Sequence, residues 1–356
     1  MTAIISKAGH AATALFVGYV ALGASWALGA PGFPWGASDP DPDGQGSLLA
    51  WLSPDPGGWW IAAFALVCAA TSMALLRSRG RLPLLVAWPL AGFLVLVLPD
   101  SRLMMGVAYT PLLSVTAFLD GPWGEVGLGD VWQWPVLNQL LCALGGALLA
   151  AAAVSAQRRR RDGCAACGRT EAGVGWTTPA AAARWGRTAV AIAVATPLFY
   201  CATRWAWALG IPFGVSEGFL EEGNRDAPGI WLAGAYLATF GALGGVLTLG
   251  LVQRWGEVFP RWMLGLRGRR VPPLLAIIPA TLVAAIITEA GLTYIRRAVT
   301  GAFELSEWGA WLPECFWPVW GVALAAAALA YGLRRRGRCA HCGRGAVAAA
   351  QSTMAM

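Results

Sequence analysis

The chain has little charge and almost no histidine. Charged residues make up 13% of its 356 residues, against about 25% in an average soluble protein. Hydrophobic residues make up 57%, and the mean hydropathy is +0.57. This balance excludes both an ordinary soluble protein and a disordered one. The composition predicts an all-α polytopic integral membrane protein.

Common enzyme signatures are also missing. His10 and His341 are the only histidines, so the sequence offers almost no residues for histidine-based acid–base catalysis. Neither a phosphate-binding Gly-x-x-x-x-Gly-Lys-Ser/Thr loop nor a His-Glu-x-x-His pair occurs. Carboxylate chemistry stays open, although no spacing singles out a catalytic pair. We therefore favour a non-enzymatic role and assign no catalytic residue.

Apolar runs long enough to cross a bilayer, about 20 residues each, are frequent in the chain. We predict eight transmembrane helices, near 9–29, 59–76, 82–98, 132–156, 188–210, 230–252, 274–295 and 311–333. A further stretch, 103–119, is apolar but contains Pro111 and several polar residues.

The basic residues indicate how these spans are oriented. With eight spans and a cytoplasmic N-terminus, 21 of the 26 Lys and Arg residues fall on the inner side, as the positive-inside rule requires. This predicts a multi-pass protein of the cytoplasmic (inner) membrane with both termini in the cytoplasm. A ninth crossing would break the rule, so 103–119 is predicted to be interfacial or re-entrant. The net charge of +7 is therefore a topology signal, and no nucleic-acid partner is expected.

Four pairs of short motifs recur in the same order along the chain and at similar offsets. The first pair is Trp26-Ala-Leu-Gly29 with Trp207-Ala-Leu-Gly210, and a tyrosine precedes each copy. The other three pairs are Leu76-Arg77 with Leu266-Arg267, Trp134-Pro135 with Trp317-Pro318, and Cys164-x-x-Cys167-Gly-Arg with Cys339-x-x-Cys342-Gly-Arg. Ordered anchors of this kind predict a tandem duplication. Each unit has an even number of spans, so the repeat is parallel, a 4+4 arrangement around an axis along the membrane normal.

The duplication sets the predicted domain boundaries. The first four-helix repeat covers 1–170, the second covers 171–344, and 345–356 is a disordered tail.

The first predicted span could be a cleaved signal peptide rather than a membrane-spanning helix. Its repeat partner lies in mid-chain, which argues against cleavage.

Two Cys-x-x-Cys motifs end the two repeats and predict a metal site. Their spacing lets both sulfurs of a pair face one tetrahedral centre, and the following glycine permits a tight loop. Together, Cys164, Cys167, Cys339 and Cys342 would form a four-thiolate structural zinc site. A redox-active pair and unliganded thiols are the alternatives, and His341 could replace one cysteine as a ligand.

Two charged residues fall inside predicted spans and are candidates for ligand binding. Glu289 and Arg204 have comparable predicted depths, which suggests an ion pair at the floor of an outward-facing cavity. The alternative is that Arg204 reaches the headgroups while Glu289 pairs with Arg296 or Arg297. Tyr200 and Trp207, on the same span as Arg204, complete the predicted ligand-binding set.

The tyrosine followed by Trp-Ala-Leu-Gly, together with arginine-rich Cys-x-x-Cys-Gly-Arg endings, resembles uncharacterised multi-spanning proteins of high-GC actinobacteria. Each half also resembles a small family of four-helix bacterial membrane proteins of unknown function, through Trp-Ala-Leu-Gly in both halves and through Tyr109-Thr-Pro-Leu112, which is absent from the second half. The likeness covers about a third of each unit and implies a fold without catalytic residues.

These observations together favour transport or sensing of a small molecule or ion, with membrane lipids as the surroundings and a zinc clip on the inner side. A membrane-embedded enzyme acting on a lipid or envelope precursor is the alternative, with Glu289, Glu221 or Glu222 as its acids. A membrane scaffold is the third possibility.

Overall fold

A computed structural model describes residues 2–40, 46–116, 127–164, 166–170 and 175–345. Within these ranges the chain is helical and contains no β-strand, so the predicted all-α class is confirmed. The helices are α1 (Thr2–Ala27), α2 (Pro54–Arg77), α3 (Leu82–Gly92), α4 (Ser101–Thr116), α5 (Leu128–Val131), α6 (Trp134–Arg160), α7 (Pro179–Ala208), α8 (Glu217–Asp226), α9 (Ile230–Leu249), α10 (Pro273–Val299), α11 (Leu312–Cys315) and α12 (Trp317–Arg335). The predicted tail, apart from its first residue, lies outside the described ranges.

Among the described residues, seven helical segments are long and apolar enough to cross a membrane: α1, α2, α6, α7, α9, α10, and α11 with α12. In a bilayer such segments are helical because the backbone must satisfy its own hydrogen bonds. The remaining predicted span, 82–98, is α3 continued by a π-helical turn, Phe93–Val97. This segment is long and apolar enough to cross a membrane only when it is taken together with α4. If the bent pair is counted as one span, the described residues contain eight candidate spans.

The bend between α3 and α4 measures 58° and lies just before the 103–119 stretch. Pro99 interrupts the helix there because it lacks the N–H that would continue the hydrogen-bond ladder. Asp100 then precedes α4, where its side chain accepts a hydrogen bond from the Arg102 N–H at 3.1 Å. The predicted interfacial or re-entrant stretch is therefore helical as far as Thr116, and 117–119 lie outside the described residues.

Four helices from each half of the chain form a bundle. In the first bundle, α1 packs against α2 and α6, and α3 packs against α2 and α6. In the second bundle, α7 packs against α9 and α12, and α10 packs against α12. Buried alanines, aromatics and cysteines fill both interiors, with Phe16 and Trp26 in the first and Trp317 and Tyr331 in the second. The two bundles meet where α10 contacts the π-helical turn and α4.

The first helices of the two bundles end in the same way. Gly29 and Gly210 follow α1 and α7 with φ of +92° and +75°, a left-handed conformation that favours glycine. In both caps the next residue donates its N–H five positions back, Ala30 to the Ser25 oxygen and Ile211 to the Ala206 oxygen, each at 2.9 Å. The repeated Trp-Ala-Leu-Gly motif is therefore a helix-ending signal.

The segment that follows α7 contains a short helix, α8. The Ser216 hydroxyl caps this helix by accepting from the Phe219 N–H at 3.1 Å. Leu220 packs with Trp207 in a small apolar cluster, which holds the helix against the end of the second bundle.

Close approach of α1 and α2 depends on two glycines. A Cβ atom added at Gly23 would lie 2.7 Å from the Gly58 oxygen and from the Ala62 nitrogen. A Cβ added at Gly58 would lie 2.5 Å from the Gly23 oxygen. Small residues thus bring the two backbones into contact, as in many membrane helix pairs.

We expect Gly23→Ala to lower the thermal unfolding midpoint in detergent, because the added methyl group meets backbone atoms that cannot rotate away. Overpacking of this kind typically destabilises by about 1–3 kcal/mol. Gly18→Ala in the same helix is the matched control, since nothing lies within 4 Å of its Cβ position. Equal midpoints for the two variants would contradict the close contact.

Candidate functional site

The first cysteine pair lies in a tight loop just after α6. The Gly168 N–H donates to the Cys164 oxygen at 2.7 Å, and the Cys164 N–H donates to the Arg169 oxygen at 3.0 Å. Gly168 has φ of +72°, which explains why glycine follows the second cysteine. The loop therefore turns the thiols of Cys164 and Cys167 towards one point.

The second cysteine pair repeats this loop after α12. The Gly343 N–H donates to the Cys339 oxygen at 2.8 Å, and the Cys339 N–H donates to the Arg344 oxygen at 2.9 Å. Gly343 has φ of +70°. The loop that carries Cys339 and Cys342 thus has the hydrogen bonds and the positive-φ glycine of the first.

The structure brings the four predicted ligand cysteines together. The Sγ atoms of Cys164 and Cys339 are 4.0 Å apart, those of Cys167 and Cys342 are 3.7 Å apart, and all four lie within 4.8 Å of one another. A tetrahedral zinc ion with Zn–S bonds of about 2.3 Å separates its sulfurs by about 3.8 Å. All four cysteines are free of disulfide bonds. The cluster could therefore hold zinc; His341 is exposed and outside it.

Arginines hold the two loops against each other. Arg169 donates to the Arg344 oxygen at 2.8 Å, and Arg344 donates back to the Arg169 oxygen at 3.2 Å. Arg169 also donates to the Arg336 oxygen, and Arg336 donates to the Cys167 oxygen at 3.3 Å. These reciprocal bonds join the two loops to each other. The positive charge of these arginines favours thiolate over thiol.

Backbone hydrogen bonds act in the same direction on the first thiol of each pair. Hydrogen bonds, of which the one from the Cys167 N–H contributes most, lower the pKa of the Cys164 thiol to about 6. The N–H of Cys342 lowers the pKa of the Cys339 thiol. At Cys342 a backbone hydrogen bond from Arg344 lowers the pKa, but desolvation and hydrogen bonds with the other three thiols raise it to about 11. Thiolates are the form that binds a metal ion.

The second group of predicted residues lies in the second bundle, where one face of α7 carries Tyr200, Arg204 and Trp207. The Arg204 guanidinium carbon is 4.7 Å from the centre of the Tyr200 ring and 4.2 Å from that of the Trp207 ring. These are cation–π distances. Spacings of four and three positions place these side chains on one helix face. Three of the four predicted ligand-binding residues are thus in contact.

The predicted ion pair of Arg204 with Glu289 is wrong. Arg204 pairs instead with Glu314, on α11. It also donates to the Gly309 oxygen at 3.0 Å. The side chain of Glu314 is 1% exposed. The predicted membrane depths of Arg204 and Glu289 are similar, which suggested Glu289 as the partner. In the structure the turn before α12 places Glu314 next to Arg204. The sequence signal for Glu314 is an acid between Pro313 and Cys315 at the start of an apolar span.

Arg204 lies at a position where the two halves of the sequence differ. In the first half Gly23 occupies the corresponding position, by the offset that relates Trp26 to Trp207, and there α1 contacts α2. In the second half a Cβ at Gly234 would lie 3.5 Å from the Arg204 side chain. The backbones of α1 and α2 are thus in contact in the first bundle, whereas in the second bundle the Arg204 side chain lies between α7 and α9.

Glu289 lies on α10, the helix that contacts both bundles. It is 1% exposed, and one carboxylate oxygen accepts a hydrogen bond from the Thr293 hydroxyl at 3.2 Å. Its other oxygen has no hydrogen-bond partner among the described residues. Arg296 donates to the Thr293 hydroxyl at 2.9 Å and to the Val97 oxygen at 2.7 Å. Arg296 therefore connects to Glu289 through Thr293 rather than directly, unlike the predicted alternative pair.

A third charged group, which the sequence did not suggest, stabilises the bend before α4. Arg102 bonds both oxygens of Asp39, at 2.7 and 2.8 Å, and both oxygens of Asp100, at 3.0 and 2.7 Å. The Gln139 amide donates to Asp100 at 2.8 Å. Both carboxylates are buried, and a buried polar network with its groups paired rigidifies its surroundings.

The remaining acids considered for catalysis are not grouped with these. Glu221 and Glu222 are exposed on α8. No protein-family model, curated protein or solved structure matches the chain.

We expect Glu314→Gln to lower the free energy of unfolding by about 3–5 kcal/mol, because it leaves the Arg204 charge buried without a counter-ion. Thermal unfolding of the purified protein in detergent measures this. Glu304→Gln, at an exposed position in the preceding loop, is the matched control and should leave the midpoint unchanged. Equal effects of the two substitutions would show that the pair contributes nothing.

Proposed function

We propose that this chain is a multi-pass protein of the cytoplasmic membrane whose two halves are joined on the cytoplasmic side by a structural zinc ion. Its role is to transport or sense a small molecule or ion. The observation that carries the zinc assignment is the cluster of four sulfurs contributed by two loops that are far apart in the sequence.

The donor set fits zinc in a structural role. Four thiolates fill a tetrahedral shell and leave no open position for water or substrate, so the ion contributes stability rather than catalysis. The short sulfur distances join one loop to the other, Cys164 to Cys339 and Cys167 to Cys342. A redox pair would instead place its reactive contact within one Cys-x-x-Cys loop. The ion therefore links the end of α6 to the end of α12.

Repeated hydrogen bonds support a tandem duplication as the origin of this arrangement. Arg159 at the end of α6 donates to the Leu75 oxygen, and Arg334 at the end of α12 donates to the Leu251 oxygen. The two donors and the two acceptors are shifted along the sequence by nearly the same number of positions. Together with the matching helix caps and cysteine loops, these bonds support two parallel copies of one four-helix unit.

Purified full-length protein should contain about one zinc ion per chain, measured by elemental analysis. A Cys164→Ser and Cys339→Ser double variant should lose the metal and unfold at a lower temperature, because the link between the bundles is gone. Cys315→Ser is the control, since this cysteine lies outside the cluster. Two zinc ions per chain, or none, would contradict a shared site.

Burial of charge between the bundles supports transport or sensing. Glu289 has one oxygen that no described residue pairs, and it lies on the helix that contacts both halves. Acids inside membrane spans are rare because their burial is unfavourable, and those that occur often mark ion or substrate pathways. An ion or a small cationic group would complete the coordination of this carboxylate.

Glu289→Gln should abolish ion movement without unfolding the protein, because the amide keeps the shape and removes the charge. The measurement is flux of H⁺, Na⁺ or K⁺ into proteoliposomes under an imposed gradient, with wild type and Glu304→Gln as references. Flux in Glu289→Gln equal to wild type would contradict a role for this carboxylate. Absence of flux of all three cations in wild type would contradict cation transport.

A further inference from the structure

A cavity of about 260 Å³ lies inside the first bundle, away from both sites described above. Its walls come from α1, α2, α6, the π-helical turn and the loop before α2. Phe16, Phe64 and Leu94 are typical of the lining, which is almost entirely hydrocarbon. A cavity of this kind selects an apolar occupant, since a polar one would lose its hydrogen bonds to water.

The Tyr19 hydroxyl and the Cys142 thiol, two polar groups in the wall, are engaged in contacts with Asn138. The Tyr19 hydroxyl accepts a hydrogen bond from the Asn138 amide at 3.1 Å. The Cys142 thiol contacts the Asn138 oxygen at 3.7 Å and the Tyr19 oxygen at 3.8 Å. Both side chains are directed into the helix packing. The lining residues therefore present no free carboxylate, amine or amide to a ligand.

Two tryptophans mark the mouth of the cavity. Among the lining residues, Trp51 and Trp60 stand out as 78% and 68% exposed, whereas the other lining residues are buried or half-buried. Exposed indoles favour the boundary between headgroups and hydrocarbon. Trp60 and Ala65 both line the cavity, so it extends along α2 by about 7 Å at 1.5 Å per residue. The cavity thus leads from the headgroup boundary towards the hydrocarbon core.

In the second bundle, aromatic rings pack against one another around Tyr200, which matches Tyr19 in the sequence repeat. Tyr200 packs against Trp317 with ring centres 5.2 Å apart, and Trp317 packs against Tyr294 at 5.8 Å.

We propose that the first bundle binds one acyl chain of a membrane phospholipid, with the headgroup beside Trp51 and Trp60. The lining selects hydrocarbon, the exposed indoles place the mouth at headgroup level, and phospholipid is the hydrocarbon source that surrounds membrane-spanning helices. This site is separate from the zinc cluster and from Glu289, so it does not depend on either.

Photo-crosslinking of the full-length protein tests this assignment. The protein is reconstituted in phosphatidylcholine vesicles that contain a small fraction of phosphatidylcholine with a diazirine in the middle of one acyl chain. After irradiation, mass spectrometry should find labels on α1 near Leu15 to Tyr19 and on α2 near Trp60 to Ala65.

Ala65→Phe should reduce this labelling at least fivefold, because the ring fills the cavity. Ala63→Phe is the matched control: it makes the same substitution on the exposed face of the same helix and should leave the labelling unchanged. Thermal unfolding confirms that both variants are folded, and Ala65→Leu replaces Ala65→Phe if the ring unfolds the protein. Equal labelling of the folded variants, or labelling spread evenly over exposed helix faces, would overturn the proposal.

Discussion

The contact between two cysteine loops connects the ends of the two helix bundles, and much of the molecule's organisation depends on it. Each loop is short, follows the last long helix of its bundle, and contains a glycine with positive φ that allows the tight turn. Sulfurs from opposite halves of the sequence lie within 4.8 Å of one another. Among the described residues few other contacts join the bundles, mainly those of α10 with the π-helical turn and α4. A tetrahedral ion at this point would fix one end of both bundles while leaving their opposite ends free to differ.

The opposite ends of the two bundles do differ, in the size and in the charge of the side chains between their helices. In the first bundle Gly23 and Gly58 allow α1 and α2 to touch along their backbones. In the second, Arg204 occupies the corresponding position, with Glu314 as its ion-pair partner. A buried arginine needs both a counter-ion and aromatic neighbours, because desolvation of the guanidinium is otherwise too unfavourable. The first bundle thus contains a closely packed pair of helices, and the second contains a buried ion pair.

The two bundles therefore contain different kinds of functional candidate. The first bundle has an open apolar cavity and a fully paired ionic network at Asp39, Arg102 and Asp100. The second has aromatic packing and the Arg204 ion pair. Glu289 lies where the bundles meet, with one oxygen that no described residue pairs. The apolar cavity inside the first bundle and the buried carboxylate on α10 are therefore separate features of the molecule.

Local sequence was sufficient for the seven long apolar helices and for the two Cys-x-x-Cys loops. Apolar length and basic flanks predict spans because the bilayer acts on each segment separately. Cys-x-x-Cys-Gly predicts a loop because the requirement for glycine is local. The repeated motifs also predicted which cysteines would meet. The partner of Arg204, the network at Arg102 and the cavity behind Trp60 were not predictable in this way. They depend on which helices become neighbours and on the space left between their side chains, and both emerge only when all the helices pack together.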